Sequence, residues 1–332
     1  MEKINSGGKY SLTLRYDESM SLHTTFKAGG KADVWVRPGK ESFPAYAAKI
    51  LPAAREEGIP VFVLGAGANI VVSDRGIRGI VLDTGAFRGI GKREDRYASP
   101  GEAAGASPPS EGNSLFSVSV LSGTSVDGLS ARLAERGLSG LEFLSGMPGS
   151  VGGAVWMNAR CYEKSVSDVL IETEILDGNY QRQKLPFRAE DFSYKKSPFQ
   201  GRETLILSAR FAVRFRESLD IYNEMATYRR DRTDKGHYRF PSAGSAFKNN
   251  HDFGAPTGRI IDQLGLRGLN IGGAQVAPWH GNIIINTGNA SASDIRLLVD
   301  EVARRVKDAR GFDLESEIIF VGEWGEEMRN EE

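Results

Sequence analysis

Three features of the chain predict an α+β fold. Short β-branched runs such as Val61-Phe62-Val63-Leu64 and Ile70-Val71-Val72 are bounded by glycine and asparagine turns, as strands are. Apolar residues recur at helical spacing in several other segments, and consecutive strand patterns between residues 169 and 213 suggest an antiparallel sheet. Glycine is abundant, at 39 of 332 residues, against roughly 7% in an average protein. With no G-X-Y period, that abundance predicts many tight turns and close backbone approaches.

The elements follow in order. Residues 42–57 carry Tyr46, Ala47, Ile50, Leu51 and Ala54 at helical spacing, and Pro52 within them predicts a kink or an early stop. Residues 61–64 read as a buried strand ending in Gly65-Ala66-Gly67-Ala68-Asn69. Residues 70–73 and 79–83 are further strands around the turn Asp74-Arg75-Gly76. The stretch 97–113, rich in Ala, Gly, Ser, Pro and Glu, reads as an excursion without chemistry. Residues 115–121 form a strand and 125–136 a helix with Val126, Leu129, Leu133 and Ala134 on one face. Residues 142–159 hold four glycines and little periodic pattern. Strands are expected at 169–176, 181–186, 203–213, 282–286 and 318–321, and helices at 219–231, 258–264 and 293–310. The last helix opens at Ser291 or Ser293, with Asp294 in its first turn. Three segments, 1–85, 86–218 and 219–332, are the expected domains, because this length exceeds one typical core.

Composition excludes several classes. A net charge of -1 argues against nucleic-acid or membrane-surface partners. One cysteine, Cys161, forms no intrachain disulfide and fits a reducing cytoplasm; it reads as an inert buried thiol rather than a nucleophile. No apolar run approaches the roughly 18 residues of a membrane span, and residues 1–5 begin no apolar signal-peptide core. A cytoplasmic globular protein is expected. One cysteine and four scattered histidines make no zinc pattern, so no metal is expected. No nucleophile elbow is present either.

Two glycine clusters suggest a phosphate-bearing ligand. Gly65-Ala66-Gly67-Ala68-Asn69 follows a strand directly, but Ile70 stands where a dinucleotide fingerprint needs a third small residue. A β-branched run follows instead of a helix, so this is not a Rossmann turn; either a plain hairpin turn or an irregular nest of backbone N–H groups is expected. In Gly146-Met147-Pro148-Gly149-Ser150-Val151-Gly152-Gly153-Ala154 no lysine completes a nucleotide P-loop. This cluster is either an interdomain hinge or a second wrap around a pyrophosphate, with Met157-Asn158 supplying an amide. Pro241-Ser242-Ala243-Gly244-Ser245-Ala246-Phe247-Lys248-Asn249-Asn250 is too rich in turn formers for a core strand. Its short donors suit a polar, anionic ligand held close to the backbone.

Taken in order along the chain, these segments resemble the UDP-N-acetylenolpyruvoylglucosamine reductase family, from about His23 to Gly322. His23-Thr24-Thr25-Phe26-Lys27-Ala28-Gly29-Gly30 is similar to the family's opening Asn-Thr-Thr-Phe-x-x-Gly-Gly. Gly65 to Asn69, Gly140-Leu141-Glu142-Phe143 with Gly146 to Gly153, and Met157-Asn158-Ala159 resemble its flavin-binding segments. Residues 241–249 match its serine loop. Ile271-Gly272-Gly273-Ala274-Gln275-Val276 and Leu314-Glu315-Ser316-Glu317-Ile318 complete the series. The resemblance implies a two-part FAD-binding region of the vanillyl-alcohol-oxidase (PCMH) type followed by a C-terminal α+β substrate domain. The short interval from Ser218 to Pro241 fits the family's shorter, second subtype.

What the resemblance implies about chemistry is specific. FAD would be bound non-covalently by Gly65, Ala66, Gly67, Ala68, Asn69, Gly146, Gly149, Ser150, Gly152, Gly153 and Asn158, and reduced by NADPH. The substrate would be UDP-N-acetylglucosamine enolpyruvate, reduced to UDP-N-acetylmuramate for peptidoglycan synthesis. Ser245 matches the proton donor and Glu317 the catalytic glutamate, with Glu315 its nearby rival. Asn249, Lys248 and Arg230, with Arg229 and Lys235, are candidate contacts to the nucleotide-sugar. The chain departs from the family at Tyr194-Lys195-Lys196-Ser197, where Lys195 replaces an arginine. Lysine keeps the charge but loses the planar fork suited to a carboxylate. Arg160 replaces a small residue and either borders the cofactor or points to solvent.

Overall fold

The computed structural model describes residues 11–94 and 115–325; the 97–113 stretch lies outside the described residues. The chain forms two compact units. One comprises Met1–Thr13, Val36–Ala66 and Leu82–Arg230, the other Leu14–Trp35, Gly67–Val81 and Asp231–Glu332.

Strands β1 (Leu12–Ser19) and β2 (Lys31–Pro38) precede helix α1 (Phe43–Glu56). The sequence reading expects neither strand, although Leu12, Leu14 and Tyr16 alternate with polar residues in β1 and Val34-Trp35-Val36 is a short apolar run in β2. Helix α1 runs on past Pro52 to Glu56. Proline removes one N–H from the ladder, while Leu51 and buried Ala47 and Phe43 keep the helix packed. Strands β3 (Val61–Leu64), β4 (Ile70–Val72) and β5 (Ile77–Asp83) follow, and one sheet has the order β1-β2-β5-β3.

The first unit is built on a larger antiparallel sheet. Its strands are β6 (Ile90–Glu94), β7 (Leu115–Leu121), β8 (Leu138–Ser139), β11 (Leu170–Leu176), β12 (Arg182–Pro186) and β13 (Leu205–Phe215). The order is β12-β11-β13-β7-β6, with β8 also on β13. Along β13, Ala209, Phe211 and Val213 are buried while Ser208, Arg210 and Ala212 are half-buried, the period-two pattern of a one-sided core. Helix α2 (Val126–Ala134) buries Leu129 and Leu133 in the same core as Val118, Val120, Phe143, Val155 and Phe211. Each such side chain contributes about 1.5–3 kcal/mol of transfer free energy. The glycine-rich stretch contains a short helix, α3 (Val151–Trp156), capped by Ser150. A two-strand hairpin, β9 (Arg160–Cys161) and β10 (Lys164–Ser165), follows it. Helix α4 (Ser218–Asp234) begins in this unit, and its Ile221 and Met225 pack on Ala134.

In the second unit, β14 (Ser242–Ser245), β15 (Asn270–Ile271), β16 (Ala274–Val276) and β17 (Ile283–Asn286) form a sheet of order β14-β17-β16-β15. Helices α5 (Thr257–Gln263) and α6 (Ala292–Arg310) pack on it. Of the two expected caps, Ser291 is the one used: its hydroxyl accepts from Asp294 N at 3.0 Å, and Asp294 closes a capping box. Asp74 adds a second brace, its carboxylate accepting from Ala292 N and Ser293 N at 2.8 Å each. Helix α6 buries Ile295, Leu298, Val299, Val302 and Val306 on one stripe and ends at Gly311, φ 78°. Strand β18 (Ile319–Val321) closes the unit by pairing in parallel with β4, Ile319 opposite Ile70. No helix among the described residues is long and apolar enough to cross a membrane.

Candidate active site

In the first unit the end of β3 meets two turns through backbone groups and hydroxyls. Leu64 O accepts from Thr84 N and Thr84 Oγ1, both at 3.0 Å. A Cβ on Gly65 would lie 2.6 Å from Ser150 Oγ, so a side chain there would displace the hydroxyl that caps α3. Ser150 Oγ accepts from Gly153 N at 3.3 Å, Val151 N donates to Thr124 O and Gly152 N to Ser122 O, both at 2.8 Å. A Cβ on Gly152 would lie 2.9 Å from Ser122 Cβ. Gly146, at φ 72°, donates its N–H to Asp127 Oδ1 at 2.7 Å. The result is a surface of backbone and hydroxyls on which Ala66 and Gly153 are exposed. The buried hydroxyls of Ser122 and Ser145 have no hydrogen-bond partner among the described residues. Orphaned hydroxyls beside a side-chain-free turn fit a polar, phosphate-bearing cofactor.

The loop that starts at Gly65 continues into the second unit, where the His23-Thr24-Thr25 segment braces it. Thr25 N donates to Gly67 O at 3.0 Å. Gly67 has φ 62°, and a Cβ there would lie 2.0 Å from His23 O. Only glycine satisfies both conditions. Asn69 turns its amide the other way, donating from Nδ2 to Glu317 O at 2.8 Å.

That bond leads to the serine loop. Gly244, at φ 77°, and a register shift between Ser242 and Ser245 bend β14 just before the half-buried Ser245. Glu317 N donates to Ala246 O at 2.8 Å, Lys248 N to Glu315 O at 2.9 Å, and Phe247 bridges Ser316. The closing segment is thus zipped along the serine loop, bringing together residues some seventy positions apart in the chain. Asn282, which sequence reasoning placed only in a strand, clamps the loop from the other side. Phe247 N donates to its Oδ1 at 2.9 Å, its Nδ2 donates to Phe247 O at 2.8 Å, and its carbonyl accepts from Ala246 N at 2.9 Å. An asparagine beside an apolar strand run gives no sequence signal that its amide faces a backbone 35 residues away.

The remaining candidates divide clearly. Lys248 forms an ion pair with exposed Glu315, whereas Glu317 is half-buried. Asn249 Oδ1 accepts from Thr257 N at 2.9 Å, bracing the start of α5. Ser242 is buried opposite Ile285. Arg230 is exposed on α4, and its neighbour Arg229 pairs with Asp127 at 2.6 Å. Arg160 pairs with Glu163 in its own hairpin at 2.8 Å. Cys161 is half-buried, its Sγ donating to Phe143 O at 2.8 Å. Asn158 is buried and spends its amide on the protein: Nδ2 donates to Ser193 O at 2.9 Å and Oδ1 accepts from Ser167 N at 3.0 Å. Ser193 belongs to the turn that carries the half-buried Lys195.

Two histidines stand behind the serine loop. His280 Nδ1 accepts from Asn282 N at 3.1 Å, which requires that nitrogen to be unprotonated. Burial lowers its pKa, aided by the charges of Lys235 and Arg267. His237, 6.2 Å from His280 between ring centroids, is pushed down to about 4 by burial and then by Arg232. In the first unit, burial and a hydrogen bond to Glu224 push Tyr228 up to about 12.

Residues 36–182 match the FAD binding domain family, and residues 236–321 match the C-terminal domain of UDP-N-acetylenolpyruvoylglucosamine reductase. With the fold described above, this defines an FAD-dependent oxidoreductase of α+β architecture. UDP-N-acetylenolpyruvoylglucosamine reductase from Treponema denticola is 39% identical over 327 residues, covering 94% of this chain and 95% of that relative. The Borreliella burgdorferi reductase is 36% identical over 308 residues, covering 92% of this chain and 93% of its own. A crystal structure of UDP-N-acetylenolpyruvylglucosamine reductase from Thermus caldophilus matches with a TM-score of 0.69 at 30% identity, covering 94% of this chain and 99% of that one. The chain belongs to the UDP-N-acetylenolpyruvoylglucosamine reductase family.

Proposed function

We propose that the protein reduces the enolpyruvyl ether of UDP-N-acetylglucosamine enolpyruvate to UDP-N-acetylmuramate, with NADPH as reductant and non-covalent FAD, as a cytoplasmic step of peptidoglycan synthesis. The observation that carries this reading is the zipping of the Ser245 loop to the Glu317 segment, with Asn69 of the first glycine turn donating to Glu317 O. FAD would be held by Gly65 to Asn69 and by Gly146, Gly149, Ser150, Gly152 and Gly153, with Asn158 acting through the turn it braces. Residues 1–85 and 86–218 supply the two FAD-binding segments and 219–332 the substrate domain.

FAD, when bound, would supply hydride transfer from NADPH to the terminal methylene carbon of the substrate. The double-bond electron pair then moves to the adjacent carbon, beside the carboxylate. Ser245 Oγ–H protonates that carbon, and solvent restores the serine proton. Serine is a weak acid, but a carbanion is basic enough to accept from a positioned hydroxyl. Glu317 and Lys195 hold the substrate carboxylate, where negative charge grows. Lys248, Asn249 and Arg230 serve the nucleotide-sugar; for Lys248 and Asn249 the bonds to Glu315 and Thr257 support a bracing part in that role.

An anaerobic titration tests the whole reading. Purified protein should be yellow, bleach with NADPH, and regain its colour when the enolpyruvyl substrate is added without oxygen. A colourless protein that takes up no FAD would sink the proposal, as would bleached flavin that the substrate leaves reduced.

A further inference from the structure

Lys195 sits in a position that lysine rarely takes. Ser193 and Lys196 bridge each other, Ser193 N donating to Lys196 O at 3.2 Å and Lys196 N to Ser193 O at 3.1 Å. Tyr194 and Lys195 are the two residues between them, and Lys195 has φ 58°. That is the left-handed third position of a β-turn, which glycine or asparagine ordinarily fills. A strained backbone of this kind persists only when its surroundings over-determine it. The surroundings are identifiable. Gln200 Nε2 donates to Lys195 O at 3.1 Å and to Trp156 O at 3.0 Å, a carbonyl that also accepts from Ser197 Oγ at 2.6 Å. Asn158 Nδ2 holds Ser193 O on the other limb of the turn.

Trp156 is the last residue of α3, whose opposite end is the Ser150 cap of the glycine-rich segment. Six helical residues span about 9 Å. One rigid turn and a half of helix therefore connects the proposed cofactor segment to the lysine turn, and Gln200 is the residue that bonds to both. We propose that Gln200 is a positioning residue: by donating to Trp156 O and Lys195 O together, it fixes the lysine at a set distance from the flavin segment and so sets the affinity for the substrate carboxylate. The inference rests on the reading of Lys195 given above.

The test is the dissociation constant of the enolpyruvyl substrate for the FAD-loaded enzyme, read from the flavin absorbance change without turnover. Gln200→Ala and the isosteric Gln200→Glu, which removes the donor and sets an acceptor against two carbonyls, should each weaken binding about tenfold, because displacement by about an ångström suffices to lose an oriented contact. FAD content should stay at the parent level. In a Lys195→Ala background, adding Gln200→Ala should change affinity less than twofold, since Gln200 acts only through Lys195. If Lys195→Ala binds as the parent does, the reading of the lysine itself is wrong. If Lys195→Ala is weakened but Gln200→Ala is not, the lysine reading stands and the Gln200 inference is overturned. Additive losses in the double variant would make Gln200 a general structural residue and overturn it equally. Should the glutamate variant fail to fold, the alanine variant decides alone.

Discussion

Replacing Asn282 by alanine should detach the serine loop from its clamp. Both the residue and its partner are buried, Asn282 at 3% and Phe247 at 2% exposure. The substitution removes two hydrogen bonds to Phe247, at 2.9 and 2.8 Å, and leaves a backbone N–H and C=O facing a cavity. Each orphaned group loses about 1–3 kcal/mol, so about 3–4 kcal/mol of stability should go once partial relaxation is allowed for. The backbone bonds from Ala246 N to Asn282 O and from Asn282 N to His280 survive the change and cap the loss. Urea unfolding followed by tryptophan fluorescence is the assay, because Trp35, Trp279 and Trp324 all lie in the second unit. Ligand-free protein should be used, since a bound cofactor adds its own stabilisation. Asn282→Asp offers a second comparison. It keeps an acceptor for Phe247 N but sets a carboxylate against Phe247 O, so its loss should ease as the pH falls and the carboxyl protonates. A loss below about 1 kcal/mol for Asn282→Ala would refute the claim that this amide holds the loop.

Three further outcomes are expected. Ser245→Ala should let NADPH bleach the flavin at the parent rate but slow reoxidation by substrate by about 100-fold or more; stopped-flow traces with equal slowing in both halves would give the loop another job. Gly67→Ala should abolish FAD retention on gel filtration, since its Cβ meets His23 O at 2.0 Å and its φ is 62°. Retained flavin in that variant would mean the 65–69 turn is not part of the cradle. His237, lowered to about 4 from an unfolded value near 6.5, makes the unfolded state bind a proton first as the pH falls. Stability should therefore drop between about pH 6.5 and 4, by about 1–2 kcal/mol after discounting a gross figure near 3 for solvent exposure. His280 shifts in the same direction. His237→Gln should flatten that slope in unfolding curves taken across the window, and an unchanged slope would assign it elsewhere.

Local chemistry made much of this protein readable in advance. The long helix α6 announces both ends, Ser291 with Asp294 at one and Gly311 at the other, because caps and breakers act on their own backbone within one turn. The strands β3, β4, β7, β11, β13 and β17 follow from short β-branched runs bounded by turns. The serine loop stands out by its composition, but the expectation that it suits no core strand is corrected: Ser242–Ser245 pair as the edge strand β14, and Ala243, Ala246 and Phe247 are buried in the core. Strands β1 and β2 are passed over although their signals are present, alternation at Leu12, Leu14 and Tyr16 and the run Val34-Trp35-Val36, because each is short and flanked by charged residues. Asn158 illustrates what distance hides. Its place beside the glycine cluster suggests a cofactor amide, and the folded chain adds that Nδ2 donates to Ser193 O. Asp74 and Asn282 likewise act on residues 218 and 35 positions away. The sequence by itself determined the family and the fold class, because those are written in motifs of contiguous residues. Tertiary structure alone decided how the chain divides, passing between two units within β1, β2, the first glycine turn, β5 and α4, and which side chains brace the loops. Such braces depend on hydrogen bonds between distant segments, and no local propensity records them.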